Sequence, residues 1–275
     1  MGAMSDGTGR KRDWVTWLGV IAALIAAVGA LWFNALTLRA NSEQTRLAEQ
    51  GQVTERFSRA VDQLGSEKLD IRMGGVYALE RIMRDSTVDQ GAIVEILCAF
   101  VRERAPVKPA SPAPEFVRQE RRRPATDVQA VLTVLARRDS KHDGRAVVDL
   151  RQTDLVGANM VGAPMHAAEL GGSDLTYANF ADADLSFAKL SGAKLIETHL
   201  PKANLTDGFL LKADLSGAQL AEANLTRANF SEASLRGAFL SRANLTRAFL
   251  WKADMTNAYL EGADLTNADL TGAKR

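Results

Sequence analysis

The sequence predicts a mainly β solenoid plus α, in which a long repeated C-terminal segment follows a transmembrane helix and a small helical domain. Three observations predict it. From Val148 to Gly272 the chain divides into 25 consecutive pentads without insertion or deletion, each centred on Leu, Met or Phe. From Trp14 to Leu38 there are 25 consecutive residues without a charge. Between these segments, apolar residues recur at the three- and four-residue spacing of amphipathic helices.

The 275 residues include 34 basic and 33 acidic side chains, a net charge of +1, so no global excess of positive charge points to nucleic acid. No direct nucleic-acid binding is expected. The single cysteine, Cys98, excludes an internal disulfide and a multi-cysteine metal site. Residues 1–13 read as an N-terminal tail. Its Gly2-Ala3-Met4-Ser5 start resembles a cloning remnant, and Asp6 breaks the myristoylation pattern.

Residues 14–38, as a helix, are long enough for ~30 Å of hydrocarbon. Trp14 and Trp17 at one end and Trp32 and Phe33 towards the other match interfacial aromatic belts. The expectation is a single-pass cell-membrane protein with the lipid bilayer as partner through residues 14–38. A cleaved signal peptide fits less well, because Ala35-Leu36-Thr37-Leu38-Arg39 is a poor cleavage site. Gly19, Ala23 and Ala27 are small residues four apart, a spacing that lets two such helices approach closely. Three basic residues precede the stretch and two follow within 15 residues, which leaves the side occupied by the C-terminal region open.

Residues 39–104 read as a helical domain. Val53, Phe57, Ala60, Val61 and Leu64 form one apolar stripe, ended by Gly65, and Val76, Leu79, Ile82 and Met83 form a second. Thr87-x-x-Gln90 has a capping-box pattern ahead of a third stripe, Ile93, Ile96, Leu97, Phe100 and Val101. Asp70-Ile71-Arg72 running into Val76 to Ile82 resembles a HEAT-type helical repeat, and an ordinary helical bundle is the other reading. Residues 105–125 hold five of the seven prolines and the run Arg118-Gln119-Glu120-Arg121-Arg122-Arg123, so they read as a Pro/Arg-rich linker. That basic run is read as solvated, with anionic lipid or nucleic acid as the alternative contact. Residues 126–147 read as a short helix and turn capping the solenoid, with Thr126-x-x-Gln129 as its capping box.

The period of five then limits the geometry of residues 148–275. An α-helix advances ~100° per residue, so leucines five apart spread around its axis. In a flat strand side chains alternate, so an odd repeat sends successive leucines to opposite faces. A short extended piece followed by a corner remains, with the central residue and the one two earlier both turned inward. That earlier residue is Ala in 20 of the 25 pentads, the exceptions being Val148, Thr153, Ser173, Thr198 and Gly208, so a small inward side chain is nearly always required there. Leu205, Leu215, Leu225, Phe230, Leu245 and Leu265 are accordingly core candidates. Pro164 and Pro201, which lack an N–H, and Gly208, which lacks a side chain, are expected to make the coil locally irregular.

Ala203-Asn204-Leu205-Thr206-Asp207, Ala223-Asn224-Leu225-Thr226-Arg227 and Ala263-Asp264-Leu265-Thr266-Asn267 resemble the A(D/N)LXX signature of pentapeptide-repeat proteins, over residues 148–272. The resemblance implies a right-handed quadrilateral β-helix with four pentads per coil. The stretch from Leu64-Gly65-Ser66 to Ile82 also resembles the helical part before the repeats of some actinobacterial relatives, which implies no activity.

If residues 20 apart stack, Phe239 and Tyr259 share one outward face, and Phe209, Leu211, Phe249 and Trp251 share another. Exposed aromatics on a polar surface are the candidate partner surface. No enzyme is expected and no cofactor. His142, His166 and His199 lack neighbours at the spacing of a metal or nucleophile motif. The reading is a non-catalytic, membrane-tethered scaffold for an unidentified protein. A homodimer through the last coil, whose strand edge is otherwise bare, stands beside a rim protected by Asp264, Asp269 and Lys274. The resemblance also implies an alternative, a DNA-mimicking rod that binds DNA gyrase or a topoisomerase. Residues 148–275 carry 15 acidic and 12 basic residues; residues 148–187 carry six and one, and residues 188–247 five and eight, so the acidity such mimicry needs is confined to the start.

Overall fold

Alanine and leucine of each pentad are buried because the chain turns after every fifth residue, and the backbone bonds show how. In the computed structural model, which describes residues 10–107 and 123–275, residues 203–207 are representative. The Ala203 N–H donates to Leu200 O at 3.2 Å and closes a corner, and the Asn204 N–H donates to Ala183 O of the preceding coil at 2.9 Å. Leu205 and Asp207 donate to Asn224 O and Thr226 O of the following coil at 2.7 and 3.0 Å. The fifth donor, the Thr206 N–H, is held by the Asn204 side-chain Oδ1 at 3.2 Å. Every backbone N–H of the pentad therefore has an acceptor, as half-buried backbone requires.

Parallel bridges join residues 20 apart, from Asp149 with Glu169 to Asp254 with Lys274, so four pentads complete one coil. These are isolated bridges, not extended strands. The expected mainly β class is corrected to that extent, because each pentad spends two residues on its corner and leaves too few for a regular strand. In all 25 pentads the second residue after the centre has a left-handed φ, as at Gly157 (67°) and, without glycine, at Glu197 (51°) and Tyr177 (61°). Positive φ at this residue only, with an N–H bonded back three residues, defines a type II turn. A left-handed L-residue costs ~1–2 kcal/mol. None of the 17 non-glycine residues there is β-branched, the side-chain type that tolerates this conformation least.

The irregularity expected at Pro201 and Gly208 is not found, and at Pro164 it is confined to one shared amide. Pro201 sits at the first corner residue, where type II turns favour proline and no ladder donor is used. Pro164 lies in the first coil, still bridges Asp184, and its carbonyl accepts from Arg138 Nη2 at 2.9 Å, but the next amide, Met165 N–H, is shared between Asp184 O at 2.7 Å and Ala163 O at 3.0 Å. Gly208 continues the ladder through Asn229 N–H at 2.8 Å, and a Cβ there would meet Leu205 O at 2.9 Å. The inward hydroxyls of Thr153, Ser173 and Thr198 are likewise accommodated, donating to carbonyls of Leu150, Leu150 and Leu175 at 2.6, 2.7 and 2.8 Å. Leu205, Leu215, Leu225, Phe230 and Leu245 are fully buried, whereas Leu265 is half-buried in the last coil, where it is stacked on one side only.

Contacts divide the chain into two units, Met1–Arg56 and Phe57–Arg275. Helix α1 (Arg10–Leu64) contributes to both. Among the described residues no helix is long and apolar enough to cross a membrane. The spanning helix expected over residues 14–38 is corrected, and with it the single-pass cell-membrane localisation and the bilayer as partner. Lack of charge is not the same as apolarity. Gly19, Ala22, Ala26, Ala27, Gly29 and Ala30 offer little apolar surface, and Asn34 and Thr37 are polar.

The second unit begins with the end of α1 and continues through α2 (Leu69–Asp85), α3 (Gln90–Arg104) and α4 (Thr126–Arg137), followed by a 3-10 turn at Ser140–His142. Helix α4 packs on both α2 and α3. Val76 and Leu79, Ile93 and Leu97, and Val131 and Leu135 form the shared core. Ile96 and Phe100 stand at its half-buried edge. Neither capping box forms. Helix α3 starts at Gln90, whose amide donates instead to Asp139 O at 2.6 Å and Asp143 Oδ1 at 2.7 Å. Helix α4 starts at Thr126 with no side-chain cap, and Gln129 turns to the first coil, where it both donates to Asn159 O and accepts from Asn159 N–H at 3.0 Å.

Other groups of the helical block complete the same edge. Asp154 N–H donates to Ala105 O at 2.7 Å, Val107 N–H to Gln152 O at 2.8 Å, and Arg102 Nη1 to Asp149 O at 2.5 Å. The tail residues 1–9 and residues 108–122 of the linker, with Arg118 to Arg122 of the basic run, lie outside the described residues.

Two stability predictions follow from the coil. Leu215→Ala is expected to cost ~2–5 kcal/mol by transfer and cavity terms, and Leu265→Ala roughly 1–2, in urea unfolding of the full chain. Equal costs would show that the last coil is as enclosed as the middle. Arg242→Val puts a β-branched residue at φ 58° and should destabilise by ~1–3 kcal/mol, while Arg242→Gly should be neutral or stabilising in the same assay.

Candidate partner-binding faces

With two of every five side chains inward, only the bridged position and the two corner residues of each pentad can meet a partner. Phe239 and Tyr259 occupy bridged positions on successive coils and stack face to face, with ring centroids 4.7 Å apart and planes inclined by 1°. A second face carries the column Phe209, Asn229, Phe249 and Asp269, again at bridged positions. Leu211 and Trp251 stand at first-corner positions beside Phe209 and Phe249. The six apolar candidates are all exposed, and two coils separate each apolar pair of the second face. Between them, Asn229 accepts from Ser231 N–H at 3.0 Å.

Cations border this face. Lys252 Nζ lies 4.1 Å from the centroid of a Trp251 ring, and Lys212 Nζ is 3.7 Å from Glu232. A cation over indole adds electrostatic attraction and holds the ring in place. The arrangement presents flat apolar surface with charged borders, the composition of a protein contact centre.

Phe187 is an exposed aromatic that the sequence reading did not single out. It stands at a left-handed corner, and His166 packs against it edge to face at 5.3 Å while its Nδ1 meets Ser186 Oγ at 2.9 Å. The available signal was an aromatic at a corner position whose neighbours along the chain and across the coils are Asp182, Gly192, Ala167 and Asp207. His199 Nδ1 meets Gln219 Oε1 at 2.7 Å, so both repeat histidines are engaged with neighbouring coils. Among the described residues no group of three His, Cys, Asp or Glu side chains has the geometry to hold a metal.

A cavity of about 270 Å³ lies among α2, α3, α4 and the 3-10 turn. Arg84 and Arg137 reach Glu80 across it at 3.7 and 4.0 Å, and Arg138 is committed to Asp143 at 2.9 Å. Its cations thus already have internal partners. Cys98 is buried, and burial pushes its thiol up to about 11, which keeps it protonated and unreactive near neutral pH.

Four aspartates towards the middle and end of the solenoid are held below their usual range. Asp254, Asp264 and Asp269 each accept hydrogen bonds from the threonine two residues on, and Asp207 pairs with Arg227. In the helical block burial pushes Asp127 up, but the Arg72 hydrogen bond, the Val128 N–H and the charges of Arg72 and Arg104 outweigh it, and its net shift is downward. Arg72 Nε donates to Asp127 Oδ2 at 2.8 Å, and its Nη1 to the carbonyls of Ser66 and Glu67 at 2.9 and 2.7 Å.

Residues 148–180, 178–210, 213–251 and 238–274 match the family model described as pentapeptide repeats, in eight copies. No curated protein matches the chain. Among solved structures, the chain is similar to the pentapeptide repeat protein Rfr23 from the cyanobacterium Cyanothece 51142, at 33% identity over 38% of this chain and 58% of that one, with a TM-score of 0.30. It is similar to HetL, a pentapeptide repeat protein involved in heterocyst differentiation regulation from Nostoc sp. strain PCC 7120, at 33% identity over 46% and 81%, with a TM-score of 0.23. It is also similar to QnrB1, a plasmid-mediated fluoroquinolone resistance protein, at 21% identity over 42% and 58%, with a TM-score of 0.41. The chain therefore spans 58% of the length of Rfr23 and of QnrB1.

The Asp127 pair predicts an acid limb of stability. Because its folded-state pKa is lowered, it stabilises the fold above the ordinary Asp value of ~3.9, and that contribution is lost as pH falls through the lowered folded value. Asp127→Asn should remove this part of the pH dependence and, by leaving Arg72 buried without its counter-charge, cost ~3–5 kcal/mol at neutral pH. An unchanged acid limb in pH-dependent urea unfolding would assign it to other carboxylates.

Proposed function

Because residues 148–274 belong to the pentapeptide-repeat family, whose members are generally structural or interaction proteins, we propose that this chain is a non-catalytic protein-interaction scaffold. Its coil is a rigid support, and its partner is another protein that docks on the face of Phe209, Leu211, Phe249 and Trp251. The observation that carries the reading is the exposure of four large apolar side chains on one face, bordered by Lys212 and Lys252. Burying such surface is the main favourable term in association. The two apolar pairs also sit on a ladder whose backbone donors are already occupied, so a partner meets side chains and not open strand edges.

The alternative is a DNA-mimicking rod that binds DNA gyrase. One observation favours it, the six acidic and one basic residues of positions 148–187. The next three coils oppose it, since positions 188–247 carry eight basic and five acidic residues, and the exposed Arg227, Arg242 and Arg247 lie among them. A duplex mimic needs continuous negative charge along its length. The scaffold is therefore the stronger reading.

A photo-crosslinking amino acid placed at Trp251 in cells of the source organism should give a discrete protein adduct, and one placed at Thr226, on another face, should not. The adduct should disappear on Phe209→Asp with Phe249→Asp. Adducts of equal yield from both positions, or none from either, would remove the proposed docking face. A gyrase supercoiling assay addresses the alternative, for which inhibition by the full chain is the required result.

A further inference from the structure

One face of the solenoid carries charges that its own chain leaves unused. Its floor is the bridged column Asp184, Asn204, Asn224 and Asn244, beside the hydroxyls of Ser186, Thr206, Thr226 and Thr246. One border is the exposed corner column Asp182, Lys202, Glu222 and Arg242, and the other is the corner column Phe187, Asp207, Arg227 and Arg247. Elsewhere on the solenoid, opposite charges of neighbouring coils satisfy each other. Lys194 lies 3.6 Å from Asp174, Lys212 3.7 Å from Glu232 and Arg236 3.3 Å from Asp254. Here Arg227 pairs with Asp207, but Asp182, Lys202, Glu222, Arg242 and Arg247 make no ion pair among the described residues. The first four of these alternate in sign from coil to coil.

The floor also keeps unused hydrogen-bonding atoms. Asp184 Oδ1 accepts from Ser186 N–H, Ser186 Oγ and Asn204 Nδ2 at 3.1, 2.6 and 3.0 Å, while its Oδ2 has no donor among the described residues. Asn244 Oδ1 accepts the Thr246 N–H and hydroxyl at 3.0 and 2.6 Å, while its Nδ2 has no acceptor among them.

Coil by coil, the charge of this face is antisymmetric. Asp182 and Asp184 give −2, Lys202 cancels Asp207, Glu222 cancels Arg227, and Arg242 with Arg247 gives +2. A matching partner must present +2, 0, 0 and −2 in that order, which is the same face read backwards. A two-fold axis perpendicular to the solenoid, between the coils of Asn204 and Asn224, performs this reversal. It sets Asp182 opposite Arg242, Lys202 opposite Glu222 and Asp207 opposite Arg227 of the second copy, each pair occurring twice as in any isologous contact. It also brings Asn244 Nδ2 to the open Oδ2 of Asp184, and Arg247 to the Phe187 ring, where a cation is attracted to the aromatic face. No charged residue of these four coils then meets its own sign. The floor side chains are all small, so two such faces can approach as stacked sheets do.

We infer that two copies of this chain pack antiparallel through this face. The contact uses none of Phe209, Leu211, Phe249 or Trp251 and does not rest on the docking reading. The crosslinker at Thr226 then captures only a second copy, an adduct of twice the mass of one chain that contains no other protein. A face of four coils is small, so half-dissociation is expected at on the order of 10 µM.

Sedimentation equilibrium of the full chain tests the inference, with an expected mass at high concentration of about twice the 29.7 kDa of one chain. Arg242→Asp, which sets two aspartates against each other, should weaken the dimer by on the order of a hundred-fold, and Asp182→Arg should do the same by opposing two arginines. The two changes together in one chain should restore it. Within a single chain these positions are three coils apart, ~14 Å, so rescue cannot come from an internal ion pair. The thermal transition of each variant at low concentration reports folding separately. Phe209→Asp with Phe249→Asp should leave the dimer intact, so loss of the docking face and loss of the dimer are distinguishable. A monomer at roughly 100 µM, a dimer indifferent to Arg242→Asp, or failure of the double change to restore it would overturn the inference.

Discussion

In each pentad the amide after the central residue points away from the backbone ladder, and the solenoid depends on what holds it. Where an aspartate or asparagine precedes the central leucine, its Oδ1 accepts that amide, at 3.2 Å from Thr206, 3.1 Å from Ser216 and 2.9 Å from Thr266. The same oxygen frequently accepts the hydroxyl of that threonine or serine, as at Thr206 (2.7 Å) and Ser216 (2.5 Å). One side-chain atom thereby satisfies the only backbone donor that coil stacking leaves over. The D/N of the repeat and the frequent Ser or Thr after its leucine are thus a local hydrogen-bond requirement, of the kind that places these residues in turns generally.

That local solution determines what the rest of the surface can do. With donors occupied and inward positions filled, the remaining side chains are free to vary, and bulky aromatics can stand outward without disturbing the coil. Phe239 and Tyr259 use the coil spacing itself as a stacking distance. The first coil has no coil beneath it and takes its acceptors from the helical block, through Ala105 O and the Gln129 side chain. The helices therefore act on the solenoid through hydrogen bonds to its edge, and Arg138 extends that contact to Pro164.

Much of this was legible in the sequence. The five-residue register identified the inward positions, and Leu205, Leu215 and Leu225 are buried where that register places them. The left-handed corner was present only as an omission, since Lys, Arg and Glu occupy a conformation usually associated with glycine and the signal is the lack of Val, Ile and Thr. Gln90 and Gln129 fit a capping pattern, yet both are drawn to partners distant in sequence, because two tertiary hydrogen bonds hold an amide better than one local cap. The stretch from Trp14 to Leu38 was misjudged because absence of charge was read as apolarity. Pro201 was misjudged because its donor was counted as a ladder donor when it belongs to a corner.

The central claim is that residues 20 apart lie directly above one another throughout the repeat. Paired cysteines measure this most directly. Parallel neighbours are ~4.8 Å apart, within the ~4.4–6.8 Å Cα separation that a disulfide spans. Asn224→Cys with Asn244→Cys, a bridged pair, should oxidise readily to an intramolecular disulfide, while Asn224→Cys with Ser234→Cys, ten residues apart and on different faces, should stay reduced. Efficient closure of the ten-residue pair, or failure of the twenty-residue pair in folded protein, would contradict the coil.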